Sequence, residues 1–443
     1  MEKIVTDSGD SKPLQTPMRR VFGNLWLLVR GRGAAAVMAL GATALMARAL
    51  GPTEFGLVVL IQAYSLLLRG LLNFQLFEAI VRYGVPAHDS NDQRTLRRLI
   101  HVCRRVDLGA CITATVVAVV VAPLAGPSMG MDQHQVSLLI AYSFVLLATG
   151  NGTAIGILRL FDRFDLLGLQ MAVGPILRFI GVGFAWWLDG SLWIFVAILA
   201  FTYVTENIYL SWLGLREYRQ QMAPLTPTET YRDATFGEFP GLRQFLWITY
   251  WQSNMDMVPK HIATVLTGYL LGPAEAGLLR LARELSSPLA KGAVLVRQVV
   301  YLDLTRSWHH GTGAFSHVAF RTAIYGGAFG MVFVLAAYFF GAELLSTLVG
   351  KEYVAAAAVL SLMLLAATID LAAQSLRSAA YAIGHAGKVL RMYAISAVAY
   401  VISFIGLTTW LGLIGAGLAA CIAASIPIFA MVVLIRQNLT KSQ

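Results

Sequence analysis

From Gly33 to the C-terminus the chain is a succession of apolar runs, each close to the length of about 20 residues that crosses a bilayer. Hydrophobic residues make up 57% of the sequence and charged residues 13%, against about 25% charged in a soluble domain. Twelve spans are read, at 25–49, 56–81, 106–125, 135–158, 166–188, 191–215, 243–270, 276–301, 319–341, 354–382, 389–410 and 413–435. The fold class expected is therefore an all-α integral membrane protein of about twelve transmembrane helices. Met1 to Gln15 is polar and holds no signal-peptide core, so the N-terminus is expected to be retained.

The chain also repeats itself. Ala42 to Leu57 reads ATALMARALGPTEFGL and Ala263 to Leu278 reads ATVLTGYLLGPAEAGL, matching at nine of sixteen positions. The offset is 221 residues in a chain of 443. Duplication over half a membrane protein is the mark of transporters with paired lobes and a substrate path between them. Two six-helix lobes follow, 1–215 and 241–443, joined by a polar linker at 216–240 that carries Pro224, Pro227 and Pro240.

The net charge of +10 is distributed by side. Arg19, Arg20, Arg82, Arg94, Arg98, Arg163, Arg219, Lys388 and Arg436 fall in one set of alternate connections. In the other set Lys351 is the clear cation. The positive-inside rule then makes both termini and the linker cytoplasmic, and accounts for the excess charge without nucleic acid. Six spans per lobe return the chain to its starting side, so the repeats are parallel about an axis along the membrane normal.

Charge inside a span costs about 2.5–3.5 kcal/mol on insertion scales and marks function by default. In the second span Gln62, Ser65, Arg69 and Asn73 share a face. Its repeat counterpart carries Arg280, Arg283, Glu284 and Lys291, with Arg297 further round. The seventh span adds Gln252, Asp256 and Lys260, and the tenth Asp370, Gln374 and Arg377. Asp256–Lys260 and Arg280–Glu284 are spaced for i,i+4 pairing, so each pair either neutralises itself or lines a cavity. Arg280 and Arg283 are also placed to snorkel. Arg69, Lys291 and Arg297 have no acid three or four residues away and are read as lining a hydrated central cavity, whose cationic excess favours an anionic substrate.

Other chemistry finds little footing. No G-x-x-x-x-G-K-[ST] motif occurs, which argues against ATP hydrolysis. Cys103, Cys111 and Cys421 lack metal-ligand spacing, and His309, His310 and His317 lack zinc spacing. Asp162 and Asp165 form a single D-x-x-D whose flanking arginines fit a hinge or gate. No cofactor and no metal are expected.

The segments ARALGPTEFGL, EAIVRYG and GILRLFDRFD resemble bacterial polysaccharide-export flippases of the multidrug/oligosaccharidyl-lipid/polysaccharide exporter superfamily. LVGKEY, AIGHAGK and LGLIGAGLAA in the C-terminal half look similar too. The resemblance implies two lobes around a V-shaped central cavity in a bacterial inner membrane. It implies transport, by alternating access, of an undecaprenyl-diphosphate-linked oligosaccharide for surface polysaccharide assembly. The basic cavity residues it implies match Arg69, Lys260, Arg280, Arg283, Lys291 and Arg297. Asp256, Glu284 and Asp370 are the candidates for coupling to protons or sodium, and the protein is expected to work as a monomer among membrane lipid. A multidrug or other solute exporter is the nearest alternative; it favours acidic sites, and the apolar first span (Ala34–Leu45) counts against it. A membrane glycan ligase or polymerase is the enzymatic one, and it ordinarily needs a large external loop that this chain lacks.

Overall fold

Helix is the dominant structure, with no strand among the described residues. The structure, a computed structural model, describes the backbone of residues 17–222, 234–309 and 312–441. Side chains are described over 35–222, 234–251, 253–254, 261–292 and 317–437, apart from Ala382 and Ala386. The first lobe comprises α1 (Pro17–Leu71), α2 (Leu76–Asp89), α3 (Gln93–Ser128), α4 (Gln133–Ser143), α5 (Gly152–Leu160), α6 (Phe164–Trp187) and α7 (Leu192–Gln221). The second comprises α8 (Leu242–Leu271), α9 (Pro273–His309), α10 (Thr312–Leu348), α11 (Ala356–Ala382), α12 (Ala386–Leu411) and α13 (Leu413–Lys441). Nine stretches among the described residues are long and apolar enough to cross a membrane by themselves. Twelve crossings result, because α1 bends into two and two crossings are made from paired helices.

The sequence repeat is a structural device. Gly51 has φ 71° and Gly272 has φ 101°, backbone that a side chain disfavours, and Pro52 and Pro273 follow with no N–H to continue the helix. The same L-G-P run thus turns the chain at the same place in each lobe. Four residues after each proline, Gly56 and Gly277 meet across the lobe boundary. A Cβ on Gly277 would lie 3.1 Å from the Gly56 Cα, and one on Gly56 would overlap the Pro273 carbonyl oxygen at 1.8 Å. Only glycine lets the two backbones approach so closely, as at small-residue helix crossings in membranes generally.

Two crossings of the first lobe are interrupted. The sequence reads 56–81 and 135–158 as single helices. In the structure the first breaks at 72–75, between α1 and α2. The second passes from α4 through a 3-10 turn, Phe144–Thr149, to a break at Gly150–Asn151 before α5. Beyond the breaks α2 and α5 pack on one another, with Ile80 against Gly156. The breaks lie between two apolar cores. Phe55, Leu60, Met129, Leu139, Phe195, Leu278 and Tyr353 belong to the core at the Gly51–Gly272 end. Leu76, Ile80, Leu99, Ile157, Phe239 and Leu246 belong to the core at the other. The third crossing also departs from the sequence reading: α3 starts at Gln93, capped by Asp92 accepting from the Thr95 N–H at 3.0 Å, rather than at 106. Asp107 therefore lies well inside a helix instead of at its start.

Candidate functional site

An interrupted helix leaves carbonyls and N–H groups that lipid cannot satisfy, so other parts of the protein must. Arg69 and Asp107 do this for both breaks. The Arg69 guanidinium donates to Leu72 O at 3.2 Å, at the end of α1, and to Thr149 O at 3.2 Å, at the end of the 3-10 turn. It also reaches Asp107 Oδ1 of α3 at 3.4 Å. Asp107 Oδ2 in turn accepts from the Thr153 N–H at 3.0 Å and its hydroxyl at 3.3 Å, at the start of α5. Arg69 is 8% and Asp107 3% exposed. Arg69 has no acid three or four residues away on its own helix, but α3 supplies one. Its side chain is directed into the first lobe and is committed to this tie.

The rest of that helical face is turned the same way. Gln62 lies beside the buried Tyr142 of α4, and Ser65 is 2% exposed. Beside them lies a polar group that sequence reasoning passed over. Gln170 of α6 donates to Glu206 of α7 at 3.4 Å, and Arg178 of α6 acts electrostatically on Glu206, Tyr142 and Tyr203. Glu206 lies at the middle of α7, which extends to Gln221, and packs against Gly174. Asn151, in the second break, donates to Asn207 Oδ1 at 2.6 Å.

The second lobe also places polar side chains between its helices. Arg283, which overlies Gln62 at the 221-residue offset, donates to Thr264 Oγ1 of α8 at 3.1 Å and hydrogen-bonds Tyr400 of α12. Arg280 is in the i,i+4 ion pair with Glu284, Nε to Oε2 at 2.7 Å, with both side chains partly buried. Asp370 of α11 is half-buried and acts on Tyr393 of α12, whose ring carries the Arg377 guanidinium 4.4 Å from its centroid. Lys291 is exposed on α9. Lys260, Arg297 and Asp256 lie outside the residues whose side chains are described. The described candidates are thus distributed between two lobe interiors and the α9 surface; they do not form one cluster.

Between the lobes the chain is joined at both ends of α1's second half. At the Gly51–Gly272 end, the buried Tyr353 donates its hydroxyl to Ala47 O at 2.7 Å and meets Phe55 edge-on at 6.1 Å. Towards the breaks, Tyr250 of α8 donates to Leu71 O at 2.7 Å and stacks on Phe74 at 5.1 Å. Next to this contact is a crevice of about 730 Å³ lined by Phe74, Phe236, Arg243, Gln244 and Trp247. The arrangement provides two lobes with polar interiors, a glycine-mediated contact at one end, and an aromatic-lined opening towards the other. Among the described residues no cluster of His, Cys, Asp or Glu is arranged to hold a metal.

Residues 22–301 match the family model described as "Polysaccharide biosynthesis protein". The chain is 26% identical over 346 residues to the protein described as "Inner membrane protein YghQ" of Escherichia coli (strain K12), covering 76% of this chain and 95% of that one. It shares its fold with an inward-facing MATE family transporter of the MOP superfamily, at TM-score 0.70 and 16% identity over 92% of this chain and 96% of the other. The lipid II flippase MurJ in an inward closed conformation matches at 0.71 and 12% identity, over 93% and 87%. An outward-facing MATE transporter matches at 0.57 and 15% identity, over 96% and 97%.

Proposed function

Because the chain belongs to the polysaccharide biosynthesis protein family of this two-lobed transporter fold, we propose that it is a flippase for a lipid-linked oligosaccharide, with an undecaprenyl-diphosphate carrier, in a bacterial inner membrane. The observation that carries this reading is the family match across 22–301, which spans nearly all of the first lobe, the linker, and α8 with most of α9. Both termini and the linker at 216–240 are cytoplasmic in this reading, and the lobes rock so that the Gly56–Gly277 contact forms in one state and parts in the other. In this reading that contact closes the external end.

Arg280, Arg283 and Lys291, with Lys260 and Arg297 on the same pair of helices, are the proposed ligands of the carrier diphosphate. Arg69 contributes through the tie that shapes the first lobe. Glu284, Asp370 and Asp256 are the proposed coupling groups, and Glu206 joins them, because a carboxylate enclosed in a lobe changes its proton or cation occupancy when water access changes. Transport of a defined lipid-diphosphate glycan across proteoliposomes tests the assignment. Lys291→Gln with Arg283→Gln should reduce the flipping rate at unchanged protein abundance, and Asp256→Asn should remove its dependence on an ion gradient. Absence of flipping by wild type, with normal export of a water-soluble cation, would replace this reading with the solute exporter.

A further inference from the structure

The first lobe has a second concavity, lined by none of the second lobe's residues. It measures about 470 Å³ and lies between α3, α5 and α7. One wall is a stripe of α3, with Arg97, His101 and Arg104 at helical steps, and Trp212 and Tyr218 of α7 face it. Tyr218 lies within the electrostatic reach of both Arg97 and Arg104. Its floor is Asp107 with Thr153 and Gly150, the tie between the interrupted helices. Asp107 is the carboxylate of this lining, and its charge is already engaged by Arg69 and Thr153. The concavity is therefore cationic.

Its mouth opens to lipid. Leu108, Leu147 and Ile208 line it and are 48%, 48% and 57% exposed, though all three lie in membrane-spanning stretches. Depth follows from helix geometry. About 20 residues of α3 fill the hydrocarbon layer, and the run from Asp107 towards its far end is apolar as far as Leu124 and Ala125. Arg104 then sits at the hydrocarbon boundary, and His101 and Arg97 lie roughly 5 and 10 Å further out at 1.5 Å per residue. That is the headgroup layer on the side of the basic connections. Trp212 and Tyr218 are at the level where amphipathic rings anchor.

We propose that this pocket holds the headgroup phosphate of an anionic phospholipid from that leaflet, its acyl chains leaving past Leu108, Leu147 and Ile208. Guanidinium groups at the hydrocarbon boundary bind phosphate by charge-assisted hydrogen bonds. Basic pockets between spans on this side of a membrane select anionic headgroups. The bound phosphate lies over Asp107 and Thr153, so occupancy stabilises the end of the lobe where the two helices are interrupted.

Native mass spectrometry of the full chain released from nanodiscs of mixed phosphatidylglycerol and phosphatidylcholine tests this. Wild type should retain phosphatidylglycerol selectively, and Arg104→Gln should lower that retention about fivefold, the ratio expected for one interfacial cation. Leu147→Trp, which fills the mouth and leaves every charge in place, should lower it as well. Arg94→Gln, on the same helix outside the lining, should not. Equal retention of the two lipids by wild type, or unchanged retention in both Arg104→Gln and Leu147→Trp, overturns the proposal. So does complete displacement by millimolar inorganic phosphate, which would make it a free-anion site. Melting temperatures in detergent, measured alongside, establish that the variants are folded.

Discussion

Arg69 and Asp107 are 38 positions apart, and their pairing sets what a substitution at either does. Removing one member of a buried ion pair leaves the other uncompensated and costs about 3–5 kcal/mol. Here it also frees the Leu72 and Thr149 carbonyls or the Thr153 N–H in a layer without water. Arg69→Gln should therefore lower the unfolding temperature in detergent strongly, and Arg69→Gln with Asp107→Asn should recover part of the loss. If the double variant is no more stable than the sum of the singles predicts, the tie is not energetically coupled. The same pair separates two roles for Arg69. Normal glycan flipping by a folded double variant would leave Arg69 a structural residue, whereas loss of flipping at recovered stability would return it to the substrate path.

At the scale of elements, the L-G-P turns and the glycine crossing decide how close α1 and α9 can come. Gly56→Ala should disfavour the joined state, because its Cβ cannot share space with the Pro273 carbonyl. Gly292→Ala, on α9 with nothing within 4 Å of the new atom, is the matched control. Double electron–electron resonance distances between spin labels on the two lobes at that end should lengthen in the first variant alone; an unchanged distribution would mean that the helices slide to accommodate a methyl group. Tyr353→Phe acts on the same contact more gently. It deletes the hydrogen bond to Ala47 O, worth about 0.5–1.5 kcal/mol, so the open fraction should rise roughly twofold to tenfold in the same distance measurement. A shift larger than that of Gly56→Ala would reverse the order of importance argued here.

For the whole molecule, the charge distribution and the geometry can be checked together. Exposed Asp132 and Lys351 flank segments at the Gly51–Gly272 end, where Gly130 approaches Pro273 and Glu352 approaches Gly51. The other end collects the ion pairs Arg98–Glu238 at 2.9 Å and Arg163–Glu217. Single cysteines at Asp132, Asp189 and Lys351 should react with an impermeant maleimide from the periplasm, and cysteines at Glu238 and Arg219 only after permeabilisation. Labelling of Glu238→Cys in sealed cells would invert the orientation proposed for the termini.

The sequence by itself determined the membrane fold and its symmetry, because both rest on local or periodic signals. Apolar run length specifies a crossing, and the L-G-P repeat specifies where each lobe turns, since Gly51 and Gly272 need positive φ and a following proline ends the ladder. The tertiary structure alone decided where the polar faces point. Nothing within 52–89 announces the break at 72–75, which holds no proline or glycine and is viable only because Arg69 and its partner on α3 satisfy the ends it creates. Asp107 was illegible for the same reason: its role comes from helices that reach it from 38 and 46 positions away. A helical face of charges tells a reader that something polar must meet it, and in a low-dielectric layer that partner can be water, substrate or another helix. Spacing along one helix cannot distinguish these, because the satisfaction of a buried charge is a property of the assembled lobe.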